Sequence, residues 1–150
     1  MTTTLGSGGS KTDRAALDHA VETFFAAFTS GAGCHARIDA LRRLLLPQAV
    51  VVRTCGHEPV VYGVEVLVPR EEMLTDGTLQ EFHEWPLHGR IDVFGDIAQW
   101  SGAYAKTGTQ SGQPLSGRGV KIIQFVRTGS GWRISAAAWD DERPGHALPE

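Results

Sequence analysis

The segment RIDVFGDIAQWSGAY, residues 90–104, sets out the architecture of the chain. Two runs compatible with β-strands, 90–94 and 97–104, flank the dipeptide Gly95-Asp96. Glycine adopts the positive φ angle that tight turns require, so the segment predicts a β-hairpin. A second pair of runs, 120–127 and 132–135, flanks a glycine-bearing turn. Because such short turns join only antiparallel neighbours, we expect an antiparallel meander over residues 79–141.

Two amphipathic helices are predicted before the meander. In the first, five apolar side chains recur at helical spacing on one stripe: Leu17, Val21, Phe24, Phe25 and Phe28. Thr12 or Asp13 is its expected N-cap, and Gly31 its expected stop. The second helix is expected to end at Pro47, which lacks the N–H needed to continue it. Strands at 49–54 and 59–63 and a short helix opened by Pro69 complete the first half.

Composition indicates an ordinary globular protein. The chain has 150 residues, of which 41% are hydrophobic and 21% charged, with a net charge of -3. That charge argues against a nucleic-acid partner, and no apolar run approaches the roughly 20 residues that span a bilayer. Two cysteines and no secretory leader favour a cytoplasmic location. We predict a disordered lead-in at 1–12, a single domain at 13–143 and an irregular tail at 144–150.

The order of elements predicts the fold class. Helices followed by a run of strands indicate an α+β protein with its helices gathered on one face of the sheet. Long strands twist and coil, so the sheet should wrap around the first helix. We therefore expect a half-closed cone with an internal cavity.

Three segments also resemble a known family. They are the Phe24-Phe25 helix with the Leu-rich helix running into PQAVVV (47–52), the hairpin IDVFGDIA (91–98), and the closing GWRIS (131–135). Over about residues 13–143 the chain resembles the nuclear transport factor 2-like superfamily and, within it, the SnoaL-like group. The resemblance implies a cystatin-like roll, a cone of curved antiparallel sheet around a long N-terminal helix. It also implies a homodimer.

The resemblance implies no single activity. Its members include ketosteroid isomerases, dehydratases, polyketide cyclases, epoxide hydrolases and binding modules, and a fold alone does not choose among them. The first helix carries phenylalanines where the isomerases place a tyrosine. Arg90 and Asp92 share a strand face, but the third member of the epoxide hydrolase arrangement is not evident. No catalytic residue is therefore carried over.

The polar cluster EFHEW, residues 81–85, supplies the first candidate for catalysis. On a strand, Glu81, His83 and Trp85 point one way, and Phe82 and Glu84 point the other. His83 beside a carboxylate is a candidate general base. The alternative is a structural histidine, with Glu84 solvated.

Further candidates lie on the later strands. Lys121 is a candidate for acid–base work if it is desolvated, although such a lysine more often reaches to a rim, and Tyr104 is a candidate for supporting charge. Arg118, between two glycines, either clamps an anion or sits exposed at a bulge. Five side chains are candidates for lining a ligand pocket: Phe28, Trp85, Trp100, Gln124 and Trp139. For the aromatic members, the alternative is the core or a dimer interface.

No cofactor or metal is expected, because the histidines are scattered and no ligand spacing fits a zinc or iron site. Two functions remain open. The first is a domain that binds a small apolar or partly polar molecule in the cone. The second is a cofactor-free isomerase, dehydratase or cyclase that uses acid–base chemistry.

Overall fold

The computed structural model describes residues 9–149. It contains helices α1 (Lys11–Ala26), α2 (Cys34–Leu44) and α3 (Leu67–Thr75), the last preceded by a 3-10 turn at Val64–Val66. Its strands are β1 (Leu45–Arg53), β2 (Val60–Tyr62), β3 (Leu79–Phe94), β4 (Ile97–Gln110), β5 (Gln113–Thr128) and β6 (Gly131–Asp141). Residues 11 and 12 of the predicted lead-in belong to α1, and residues 1–8 lie outside the described part.

The strands form one sheet in the order β2-β1-β6-β5-β4-β3. Strands β3 to β6 make the predicted meander, with two-residue turns at Gly95-Asp96, Ser111-Gly112 and Gly129-Ser130. The sheet differs at one place from the curved antiparallel sheet that the resemblance implies, because β1 pairs with β6 in parallel. A parallel pair needs a long connection, and here the whole chain from β2 to β5 lies between the two strands. The sheet is therefore mixed, and the α+β cone is confirmed.

Helix α1 covers the concave face of the sheet. Leu17, Ala20, Val21, Phe24 and Phe25 are its buried residues. They belong to one hydrophobic core with inward side chains of β3 to β6, among them Trp100, Phe125 and Ile134. The ring of Phe25 meets Trp100 edge-on, with 5.4 Å between the ring centroids. The predicted apolar stripe thus forms the contact between the helix and the sheet.

The ends of the first two helices differ from the sequence prediction. The N-cap of α1 is Ser10, whose Oγ accepts a hydrogen bond from the Asp13 backbone N–H at 3.0 Å, and not Thr12 or Asp13. The helix ends before Gly31 because the following segment bonds to β3, where Ser30 N–H donates to the Phe82 carbonyl. Helix α2 ends at Leu44, because Leu45 already pairs with Ile134 in the sheet. Leu46, which precedes Pro47, also disfavours helical angles.

Two irregularities in β3 decide which of its side chains face inward. The β3–β4 register shifts between Gln80 and His83, where Glu81 has a φ angle of 49°, and again between Pro86 and His88. A β-bulge inserts an extra residue and so changes the alternation of faces. Phe82 and Glu84 consequently line the concave side together with Ile91, although Glu84 and Ile91 lie an odd number of positions apart and would face opposite sides of a regular strand.

Candidate functional site

A cavity of about 410 Å³ lies between the concave sheet and the helices. Apolar side chains of α1, α2, α3 and the sheet form much of its wall, including Phe24, Phe28, Met73 and Leu115. Six ionisable side chains besides tyrosines also line it: Arg53, Arg70, Glu84, Lys106, Lys121 and Asp141. An apolar cavity with a few polar groups is the usual form of a small-molecule site.

Lys121 and Glu84 form an ion pair inside this cavity. Lys121 Nζ lies 2.7 Å from Glu84 Oε1, and the two side chains are only 6% and 10% exposed. Apart from this contact, Glu84 Oε1 accepts no hydrogen bond from the described residues. Buried charges remain in a protein when they are paired. The carboxylate therefore keeps unused capacity to accept a hydrogen bond.

Aromatic rings surround the Lys121 ammonium. Its Nζ lies 4.6 Å from the ring centroid of Tyr104 and 5.2 Å from those of Phe28 and Trp139. The centroids of Phe24 and Phe25 lie at 5.4 Å and 5.6 Å. A cation within about 6 Å of a ring centroid is attracted by the negative face of the ring. The rings therefore attract the Lys121 ammonium at this buried position.

A second polar group, Tyr104 with Lys106 and Asp141, lies beside the ion pair. The Tyr104 hydroxyl donates to Asp141 Oδ1, and Lys106 Nζ donates to Asp141 Oδ2 at 2.9 Å. Tyr104 and Lys106 are on β4, whereas Asp141 is on β6, so both side chains cross β5. They cross it at Gly119 and Gly117, which pair with Tyr104 and Lys106 in the β4–β5 register.

These two glycines leave room that a larger residue would fill. A Cβ atom at Gly119 would collide with the Asp140 carbonyl and lie 2.8 Å from Asp141 Oδ1, and one at Gly117 would lie 3.2 Å from Lys106 Cε. The β4–β5 register is continuous here, so the alternative of a bulge around Arg118 is wrong. Arg118 is exposed and makes a two-pronged contact with Glu142 at 2.9 and 3.1 Å.

The surroundings shift the pKa values of the Tyr104–Asp141 pair in opposite directions. Burial and the hydrogen bond to Asp141 raise the pKa of Tyr104 far above its usual range. Burial acts to raise the pKa of Asp141, but the hydrogen bonds from Tyr104 and Lys106 outweigh it and lower that pKa. At neutral pH, Tyr104 is therefore a neutral phenol and Asp141 a carboxylate.

The structure brings together four of the eight candidate site residues. Phe28, Tyr104, Lys121 and Trp139 line the cavity. His83 is exposed on the outer side of β3 and stacks on Trp85, with 4.6 Å between the ring centroids, so neither lines the cavity. Trp100 is buried against α1, away from the cavity, and Gln124 is exposed, with its Nε2 donating to Ser135 Oγ.

Sequence reasoning assigned no role in the cavity to Arg53, Arg70, Glu84 or Lys106. For Glu84 a signal was present, because it alternates with Phe82 on the face opposite His83. In the sequence, Asp141 is one of three acidic residues at the end of the last predicted strand, where one of them is a candidate base at the cavity mouth and a solvated charge run is the alternative. Its partnership with β4 depends on a contact across β5 that no local pattern reveals.

Comparisons with known proteins support the fold. No protein-family profile matches the chain, and no curated protein sequence matches it significantly. Among solved structures, it is similar to an NTF2-like superfamily protein from Salmonella enterica (TM-score 0.72, 14% identity, covering 95% of this chain and 100% of that one). It is also similar to a candidate dehydratase of the NTF2-like family from Streptomyces avermitilis (TM-score 0.66, 16% identity, 89% and 99% covered).

A third similar structure is a candidate aromatic ring hydroxylase from Novosphingobium aromaticivorans (TM-score 0.72, 17% identity, 91% and 94% covered). The chain thus has the fold of the nuclear transport factor 2-like superfamily, as its sequence resemblance implies. Within residues 9–149, no group of three or more potential ligands is placed to hold a metal ion. No helix in the same range has the length and apolar character to cross a membrane.

Proposed function

We propose that this protein binds a small, mainly apolar molecule with an oxygen-bearing group in the cavity of the cone. The observation that carries the proposal is the cavity itself, whose volume of about 410 Å³ lies within the range usual for ligand sites. Apolar walls would hold the body of the molecule. Tyr104 and Glu84 supply oxygen atoms able to accept a hydrogen bond from it.

The proposal is tested by filling the cavity and observing the tryptophans. In nitrogen-15 NMR spectra, 2-naphthol should shift the indole signal of Trp139, which lines the cavity, more than that of Trp85, which lies outside it. Met73→Trp should abolish the shift by occupying the cavity. Glu72→Trp places the same side chain at the neighbouring exposed position of α3 and should retain it. Equal shifts at both indoles, or an unchanged response in Met73→Trp, would contradict the proposal.

A second candidate function is cofactor-free proton transfer, as in an isomerase, dehydratase or cyclase. It is favoured by the Glu84–Lys121 pair, which places a carboxylate and an ammonium 2.7 Å apart beside the cavity. Glu84 would accept a proton from a carbon next to a carbonyl group, and Lys121 would stabilise the resulting enolate oxygen before the proton returns. His83, the base that the sequence favoured, lies on the opposite face of β3.

Exchange of the α-protons of 2-tetralone in D₂O, followed by proton NMR, tests this second function. The native protein should accelerate exchange, and Glu84→Gln should reduce that acceleration at least tenfold, since general bases contribute about 10²- to 10⁴-fold. His83→Ala distinguishes the two candidate bases. Loss of acceleration in His83→Ala with full activity in Glu84→Gln would refute the role of Glu84.

We also propose a homodimer formed through the convex face of the sheet. Val50 and Ile122 are exposed there, at 41% and 42%. On neighbouring strands, Val52, Ala138 and Ile122 follow one another in register. Obligate interfaces are rich in apolar surface of this kind. Sedimentation at micromolar concentration should give a dimer mass and Ile122→Lys a monomer, while Glu65→Lys should remain dimeric. A monomeric native protein would refute the proposal.

On the three sequence segments given above, we place the chain in the SnoaL-like group of this superfamily. We propose the cytoplasm as its compartment, because Cys34 and Cys55 are free thiols.

A further inference from the structure

The charges that line the cavity do not balance. Four of the lining side chains are cations, Arg53, Arg70, Lys106 and Lys121, and only Glu84 and Asp141 are anions. Lys121 pairs with Glu84 at 2.7 Å, and Lys106 pairs with Asp141 at 2.9 Å. Within each pair the two charges cancel. The positive charges of Arg53 and Arg70 are therefore left without a balancing anion in the cavity wall.

Neither arginine has a carboxylate within ion-pair distance in the part of the chain that the structure describes. Arg53 is the last residue of β1 and is exposed, although it lines the cavity. Arg70 lies on α3, half-buried, three residues before the cavity-lining Met73. The acidic residues next to Arg70 in sequence, Glu71 and Glu72, form no ion pair with it. The Glu71 carboxylate is instead bonded to His35 and Arg42.

Five of the other arginines are paired with carboxylates, whereas Arg14, Arg37, Arg43 and Arg133 have no such partner among the described residues but do not line the cavity. Arg42, Arg90, Arg118, Arg127 and Arg143 each lie within 3.4 Å of a carboxylate oxygen. A guanidinium stays charged at any physiological pH and presents a planar set of donors that matches a carboxylate. An unpaired guanidinium in the wall of an apolar cavity therefore creates a site for an anion.

We propose that the ligand of this cavity is an organic acid, with its carboxylate held by Arg53 and Arg70 and its apolar body among the rings of Phe28 and Trp139. The inference rests on the proposed binding function and adds the chemical class of the ligand. The internal pairs are satisfied, so the ligand anion meets the arginines without displacing Glu84 or Asp141.

The test compares 2-naphthylacetate with its neutral analogue 2-naphthylacetamide by isothermal titration calorimetry. The acid should bind at least tenfold more tightly than the amide. Arg53→Gln and Arg70→Gln should each reduce that preference at least threefold. Arg43→Gln changes an exposed arginine of α2 away from the cavity and should leave it unchanged.

The possible results separate this inference from the function on which it rests. Equal affinity for acid and amide would refute the organic-acid assignment while leaving small-molecule binding in place. A preference for the acid that survives both arginine substitutions would refute the role of the arginines. Binding of neither compound at millimolar concentration would refute the binding function and this inference with it.

Salt supplies a check that needs no variant. The preference of the native protein for the acid should shrink as potassium chloride rises from 20 mM to 500 mM, because the arginines act near the surface, where ions screen them. A preference independent of salt would contradict an anion held by these two side chains.

Discussion

Removal of the buried ammonium by Lys121→Met should strongly destabilise the fold. At 2.7 Å and an effective dielectric constant of about 20, the attraction between Lys121 and Glu84 is about 6 kcal/mol. Desolvation of the two ions offsets most of that attraction in the native protein. The substitution removes the attraction but leaves the Glu84 carboxylate buried, so we expect a loss of about 3–5 kcal/mol in the free energy of unfolding.

Two further variants separate this mechanism from simple loss of packing. Glu84→Leu should cost less than Lys121→Met, because the aromatic rings still stabilise the remaining ammonium. The double variant Glu84→Leu/Lys121→Met contains no unpaired charge and should have a stability within about 1 kcal/mol of the native value, or above it. Gln124→Met, on the exposed face of the same strand, should change stability by less than about 0.5 kcal/mol.

Urea unfolding followed by circular dichroism measures all four variants, and the double-mutant cycle gives the coupling energy. The coupling energy should exceed about 2 kcal/mol, given the cost of a broken buried pair. A coupling energy below about 0.5 kcal/mol, or a double variant less stable than Lys121→Met, would refute the reasoning.

Three other predictions follow from the same region. The raised pKa of Tyr104 means that only the unfolded chain ionises this phenol near pH 10, so stability should fall as pH rises above about 10, and Tyr104→Phe should weaken that alkaline dependence in urea unfolding. Because the pKa of Asp141 is lowered in the folded protein, its carboxylate stabilises the fold at pH values above its unfolded pKa of 3.8, and this stabilisation is lost as the pH falls through the folded pKa. Asp141→Asn should therefore flatten the dependence of stability on pH below about pH 4, and an unchanged dependence there would contradict this. Gly102→Ala should lower stability by about 1–3 kcal/mol, because its Cβ would lie 2.5 Å from Gly89 Cα, whereas Gly129→Ala, with open space around it, should be nearly neutral in the same measurement.

The sequence predicted the elements whose signals are local. The stripe on α1, the Gly95-Asp96 hairpin and the alternation within each strand are readable because a helix repeats every 3.6 residues and a strand every two. Together with short turns, these signals sufficed for the meander and for the α+β cone. They also placed Lys121 and Gln124 on opposite faces of β5, as the structure has them.

Predictions that depended on a partner distant in sequence were less accurate. The parallel pairing of β1 with β6 joins segments about 85 residues apart, and no local pattern specifies it. The bulge at Glu81 was likewise missed, because a bulge leaves the composition of a strand unchanged. His83 looked like the better base from its residue type alone, since imidazole titrates near neutrality.

The sequence by itself therefore determined the layers of this protein and the faces of its strands, through periodicity and turn chemistry. The tertiary structure alone decided which charges share the cavity. Glu84 meets Lys121 across β4, and Asp141 meets Tyr104 across Gly119 of β5, because the curved sheet brings inward side chains of separate strands within bonding distance. A charged side chain selects its partner by distance in space, and the order of strands in the sheet sets that distance.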